Sequence, residues 1–213
     1  MPEIKQNLTP KQKALSVNLD PNIYGTFAEI GAGQETVRHF FRAGAASLTI
    51  AKAMSAYDKD YSDAIYGKEY KNRYVTRHRL QNMLDHEVAL MEERIDRIQN
   101  PQRKFFSYAN TVTTINYEKT NKGHGWIGIK FQAKPDEDYS SIVLHVRFKE
   151  NDATLQQETL GSLGVNLIYG AFYHYDNPRN LINSLYDYIP LDTLEIDMID
   201  FQGPAFAYVD NRL

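Results

Sequence analysis

Cysteine is absent from the 213 residues, which excludes disulfides, thiolate metal sites and cysteine nucleophiles and is compatible with a reducing compartment. Long apolar runs are missing too. No stretch reaches the roughly 18 to 20 apolar residues a membrane-spanning helix needs, and the polar first ten residues do not read as a secretory signal. Net charge is only −3, and it is uneven: from Tyr175 onward seven acids face two arginines, a balance of −5 that leaves +2 for the rest. A nucleic-acid binder needs a strong basic field, because phosphate neutralisation supplies most of its affinity, and that field is lacking. The chain reads as cytoplasmic, with neither membrane nor nucleic acid as partner. No internal repeat or low-complexity tract is found.

What is present is an ordinary globular composition, 42% hydrophobic and 24% charged, with an excess of aromatics: 15 Tyr and 10 Phe, assigned mainly to the interior. Residues 1–13 read as a flexible tail and 14–213 as a single domain. Residues 15–30 are broken by Asp20-Pro21-Asn22 and Gly25 and read as irregular or short-stranded. Val37, Phe40, Phe41, Gly44, Leu48, Ala51 and Met54 recur at three- and four-residue spacing, the mark of a helix, with a possible break at Gly44. Residues 57–74 read as a long polar loop. Thr76 caps the clearest helix, with an apolar stripe of Leu80, Leu84, Val88, Met91, Ile95 and Ile98 that Asn100-Pro101 stops. From Phe105 the period turns strand-like, giving strands at 105–117, 126–131 and 142–148, then helices at 154–173 and 178–188 and a strand at 194–199. The fold class is α/β or α+β: a helical N-terminal half packed on a mixed, largely antiparallel sheet with C-terminal helices.

Candidate chemistry is sparse. Gly31-Ala32-Gly33-Gln34 opens a helix, so Gly31, Gly33 and Gln34 can present backbone N–H groups to an anion, with Arg73 or Arg77 closing over it. The third glycine of a dinucleotide fingerprint is missing, and a plain helix-capping turn explains the glycines equally. Lys52 and Arg79 extend the basic set of the front half, where surface ion pairing is the ordinary alternative. Along 142–148, strand alternation puts His145 and Arg147 on one face and Leu144 and Val146 on the other; Asp197 occupies the corresponding polar face of the last strand. His145 and Asp197 are the catalytic candidates and Arg147 a ligand-binding one, with a solvated polar sheet surface as the ordinary alternative. The further expectation is that the glycine turn packs its helix over this polar face, so that anion and His145 share one cleft. The six His lack metal-ligand spacing, His78 and His86 being eight apart, and no Gly-x-Ser-x-Gly elbow surrounds Ser162. Gly161, Gly164 and Gly170 sit within a helix, where a glycine costs about 1 kcal/mol and marks close packing.

Segments 18–35 (NLDPNIYGTFAEIGAGQE), 62–67 (SDAIYG), 124–132 (HGWIGIKFQ), 164–172 (GVNLIYGAF) and 201–213 (FQGPAFAYVDNRL) resemble a family of uncharacterised bacterial proteins. Its members carry the names nicotinate-nucleotide adenylyltransferase or TonB-dependent receptor, and they are longer, continuing past the match to residues 209–213. The resemblance implies that the chain corresponds to their front part. The receptor name requires an export signal and a large barrel, which this sequence does not suggest. The adenylyltransferase name requires an early His-x-Gly-His; the nearest approach is Asn121-Lys122-Gly123-His124, lacking the first His. What survives from the name is a hint of nucleotide binding. The function expected is therefore binding or turnover of a nucleotide or other phosphorylated small molecule, with no cofactor identified, and enzyme and non-enzyme both open. The alternative is a non-catalytic homo-oligomeric module whose aromatics form a subunit interface.

Overall fold

Thr9 closes a capping box with Gln12: its hydroxyl accepts the Gln12 N–H at 3.3 Å while the Gln12 amide oxygen accepts the Thr9 N–H at 2.9 Å. With a proline in the first turn, this starts helix α1, Pro10–Leu19, inside the segment expected to be a tail. A computed structural model describes residues 7–207, so the 209–213 end of the family resemblance lies outside the described residues. The remaining elements are β1 Ile23–Ile30, α2 Glu35–Ala43, β2 Ile50–Met54, α3 Lys59–Tyr66, α4 Arg77–Arg94, β3 Lys104–Thr113, β4 His124–Phe131, β5 Ser140–Phe148, α5 Ala153–Tyr173, α6 Pro178–Leu185 and β6 Leu194–Gln202.

The strands form one mixed sheet in the order β2-β1-β3-β4-β5-β6. Pairings around β1 are parallel, and those from β3 to β6 are antiparallel. The α/β expectation holds, but the front half contributes two strands as well as helices. The helix expected across 37–54 ends at Ala43 because Gly44 adopts φ 92°, outside helical space, after which Ile50–Met54 runs as a parallel edge strand. The apolar spacing of Leu48, Ala51 and Met54 is incidental; Leu48 is exposed. The loop expected at 57–74 contains α3, whose first turn is capped by the Asp58 carboxylate accepting the Tyr61 N–H at 2.8 Å.

Two unequal layers cover the sheet. On one face α1, α2, α5 and α6 bury a core containing Phe27, Phe40, Phe106, Tyr108, Leu144 and Val146. Each such apolar side chain stabilises the fold by about 1.5 to 3 kcal/mol relative to exposure. On the other, α3 and α4 seat Leu80, Met83 and Leu84 against Ala28, Ala109 and Val143. Residues on that face are small, and a Cβ on Gly128 would lie 3.1 Å from Leu80 and Leu84, so α4 rides close to the strands. The phenylalanines fill the interior as expected, except Phe41, which is exposed. The tyrosines divide: Tyr66 and Tyr108 are buried, whereas Tyr57, Tyr61, Tyr70, Tyr117 and Tyr188 are exposed. No described helix is long and apolar enough to cross a membrane.

Candidate functional site

Beyond α4, the face of β4, β5 and β6 opens into a cleft at the end of the sheet where β5 finishes and β4 and β6 begin. Antiparallel register places His124 opposite Arg147 and Trp126 opposite His145. On the other side of β5 the register shifts: His145 pairs with Met198 and Val146 with Ile196, so Asp197 is the extra residue of a β-bulge. The bulge brings Met198 to the His145 side of the sheet and aims Asp197 at β5. Its carboxylate lies 2.5 Å from His145 Nδ1 and accepts the Arg147 Nε–H at 2.6 Å. His145 Nε2 is in turn 3.4 Å from His124 Nδ1, and the Trp126 ring stacks obliquely on His145 with centroids 4.8 Å apart. The cleft measures about 500 Å³ and is lined by Lys122, His124, His145, Arg147, Lys149 and Glu195 among others.

The protonation pattern follows from these contacts. Burial alone would raise the Asp197 carboxyl, but hydrogen bonds from His145 and Arg147 outweigh it and hold the group below its ordinary range. His145 Nδ1–H donates to the ionised Asp197, and His145 Nε2 lies 3.4 Å from His124 Nδ1, a contact in which either ring can be the donor. His124 is lowered from its ordinary value by burial first, then by the charges of His145 and Arg147, with Asp197 opposing. The site therefore presents a neutral His124 imidazole beside three cationic side chains, of which Arg147 pairs with Asp197 at 2.6 Å and Lys149 with Glu195 at 3.3 Å. Among the described residues, no group of three or more His, Asp or Glu side chains is placed to hold a metal ion.

Of the residues singled out from the sequence, His145, Arg147 and Asp197 come together. Gly31, Gly33 and Gln34 do not join them. Ile30 pairs with Thr111, Thr111 with Trp126 and Trp126 with His145, three strand spacings or about 14 Å. Helix α2 lies on the opposite face, where Phe40 meets Phe27, because its apolar stripe needs the face carrying Leu144 and Val146. Nor is the turn vacant. The buried Glu29 carboxylate accepts the Thr36 and Val37 N–H groups at 3.2 and 2.9 Å and the Asn110 amide at 3.0 Å, and Gly33 N–H donates to Tyr57 OH at 2.7 Å. The carboxyl group that this helix start attracts is the protein's own. Burial pushes the Glu29 carboxyl up to about 7, against those donors.

Arg73 is exposed on the segment before α4, and Arg77 pairs with Asp200 on β6, tying the start of α4 to the last strand instead of closing over the turn. Arg79 is buried, donating to Asp63 at 2.9 Å and to the Ser62 carbonyl at 3.3 Å. It helps line a smaller cavity of about 150 Å³ with Ile30, Tyr57, Lys59, Tyr74 and Thr111. Lys52 reaches the buried Glu87, Nζ to Oε2 2.6 Å.

No family model matches the sequence, and no curated protein matches it. Solved structures do. The chain has the fold of competence-damage (CinA) proteins. A CinA superfamily protein from Enterobacter cloacae superposes with TM-score 0.56 at 12% identity, covering 78% of this chain and 94% of that one. The competence damage-inducible protein A from Klebsiella pneumoniae gives 0.56 at 9% identity over 78% and 99%, and a competence/damage-inducible protein from Agrobacterium tumefaciens gives 0.52 at 14% over 76% and 97%. Likeness at this identity is one of fold, and these structures carry neither the adenylyltransferase nor the receptor name.

Sequence reasoning missed His124, Lys122, Lys149 and Glu29. A signal existed for the first three: in an antiparallel pair the start of one strand adjoins the end of the next, so His124 had to face Arg147 once a short connection joined β4 to β5. Glu29 gave none, because a carboxylate inside an apolar strand is understood only when the helix it caps is seen above it.

Proposed function

We propose that the chain binds a small phosphorylated molecule of the nucleotide class in the His124–His145–Arg147 cleft. The observation that carries this reading is the convergence of Lys122, Arg147 and Lys149 with two imidazoles on one cleft of about 500 Å³. Small-ligand sites take this form: a concave volume with a few convergent polar groups. Arg147 is held by Asp197 through Nε, which leaves the outer guanidinium nitrogens for phosphate oxygens. The rings of His124 and His145, which both line the cleft, supply surface on which a base can stack. The shared fold with CinA proteins is compatible with this reading and contributes no residue to it.

Calorimetric titration with inorganic phosphate, sugar phosphates and nucleoside monophosphates tests the reading. Arg147→Ala should weaken binding by about 1.5 to 3 kcal/mol, the range for a hydrogen bond to a charged group, while leaving the melting temperature nearly unchanged. Absence of binding by every phosphate compound, or affinity indifferent to Arg147, rejects it. A second reading, a homo-oligomeric interaction module, is favoured by the exposed Tyr57, Tyr61 and Tyr70 around α3. Light scattering checks it; a monomer at high concentration counts against it.

A further inference from the structure

Resting on the reading of the cleft as a phosphate site, we propose that the chain hydrolyses phosphate monoesters there, with His124 as the proton-accepting residue and Asp197 and His145 as the positioning residues behind it. Asp197 Oδ1 lies 2.5 Å from His145 Nδ1, and His145 Nε2 lies 3.4 Å from His124 Nδ1, so the three groups form a row that ends at His124, whose Nε2 is the outermost ring nitrogen. Asp197 is fixed in this task by the Arg147 Nε–H at 2.6 Å and by the bulge that aims it. A positive charge arising on His124 is stabilised by the Asp197 carboxylate through His145, the logic by which a carboxylate behind an imidazole assists proton transfer in hydrolases on unrelated folds.

The lining decides which reaction suits these residues. Lys122, Gly123, His124, His145, Arg147, Phe148, Lys149 and Glu195 include bases and cations but neither a hydroxyl nor a thiol, so among the described lining residues there is no side-chain alcohol or thiol to form a covalent ester. With His124 given to proton transfer, water is the nucleophile. His124 Nε2 takes a proton from that water as its oxygen bonds to phosphorus. The bond from phosphorus to the ester oxygen breaks with its electron pair going to that oxygen, which is protonated through the solvent of the open cleft by the proton His124 gives up. The products are the alcohol and inorganic phosphate. Lys122, Arg147 and Lys149 offset the charge on the phosphoryl oxygens throughout. The groups facing His124 are His145 and Arg147 on β5, Asp197 and Glu195 on β6, and Lys122 and Lys149 in the flanking connections.

The test uses the full chain, with p-nitrophenyl phosphate and adenosine monophosphate as substrates and binding of inorganic phosphate measured in parallel. Wild type should release nitrophenol and phosphate, with kcat rising with pH as His124 loses its proton below pH 6.5 and levelling above it. His124→Gln should lower kcat about 100-fold or more with KM little changed, and His145→Gln and Asp197→Asn should move the pH limb as well as the rate. Should a variant misfold, the His124 imidazole can be followed by NMR in wild type: it must titrate below the ordinary histidine range and respond to phosphate. Phosphate binding with no hydrolysis above buffer overturns the proposal and leaves the binding reading standing. Hydrolysis that His124→Gln retains overturns it as well, and absence of both binding and hydrolysis overturns the two together.

Discussion

Asp197 accepts from His145 and Arg147 at once, and its ionised form is what these two donors favour. Because its folded pKa is depressed, its stabilisation is present above the unfolded value near 4 and is lost as pH falls through the folded one. Denaturant titrations between pH 2 and 6 should show wild type losing stability on acidification, and Asp197→Asn should lack that part of the loss. Equal acid slopes for the two proteins would show that the carboxylate is merely solvated. Glu29 behaves in the opposite sense. Its folded pKa, raised to about 7 by burial, means that the native state holds a proton which the unfolded chain has released above about pH 4.5. Its contribution is therefore fully present below pH 4.5 and is lost as pH rises toward 7, by an amount on the order of 3 kcal/mol. In Glu29→Gln that slope should flatten, whatever the absolute cost of putting an amide N–H₂ among three donors. An unchanged slope would mean that the donors keep Glu29 ionised despite burial.

At the scale of elements, α5 and the first turn of α2 are fitted to one another through glycine. A Cβ on Gly164 would lie 2.3 Å from Thr36 Oγ1 and 2.5 Å from Tyr108 OH, and one on Gly161 would lie 2.9 Å from Glu35 Cβ. The same contact seals Glu29 and its partners from water, since Tyr108 OH also bonds Thr36 Oγ1 at 3.0 Å. Helix propensity favours Ala over Gly by about 1 kcal/mol, but overpacking costs typically 1 to 3 kcal/mol and at Gly164 falls on the buried Thr36–Tyr108 hydrogen bond. Gly164→Ala should thus destabilise by about 2 kcal/mol in chemical denaturation; a stabilised variant would show that α5 can slide. The spacing of these glycines in a helix pattern already implied a close neighbour. Which neighbour it was, the first turn of α2, depended on the sheet joining residues distant in sequence.

Across the whole molecule, Lys13 couples the two ends of the chain: its ammonium, 1% exposed, meets Asp187 at 2.7 Å and Asn166 at 2.8 Å. Lys13→Ala would leave a partly buried carboxylate and a buried amide unanswered, and breaking such a pair typically costs 3 to 5 kcal/mol, so a loss of about 3 kcal/mol is expected in denaturant unfolding. A loss below about 1 kcal/mol would place the pair with ordinary surface bridges. Local signals set α4 and the back half by themselves: the Thr76 cap with its apolar stripe, the period-2 alternation through Ile142, Leu144 and Val146, and the short connections that make β3 to β6 antiparallel. The front half resisted because β1 is sandwiched between layers and keeps no alternation, while α1 and α3 are short helices whose caps, Thr9 and Asp58, outweigh weak periodicity. Sequence alone thus determined the α/β class and the shared face of His145 and Arg147, since both follow from interactions a few residues long. Only the tertiary structure decided that Asp197 reaches them, that His124 completes the row and that Glu29 fills the glycine turn, because a bulge, a strand register and a helix seated over a buried carboxylate arise from contacts between segments far apart in the chain.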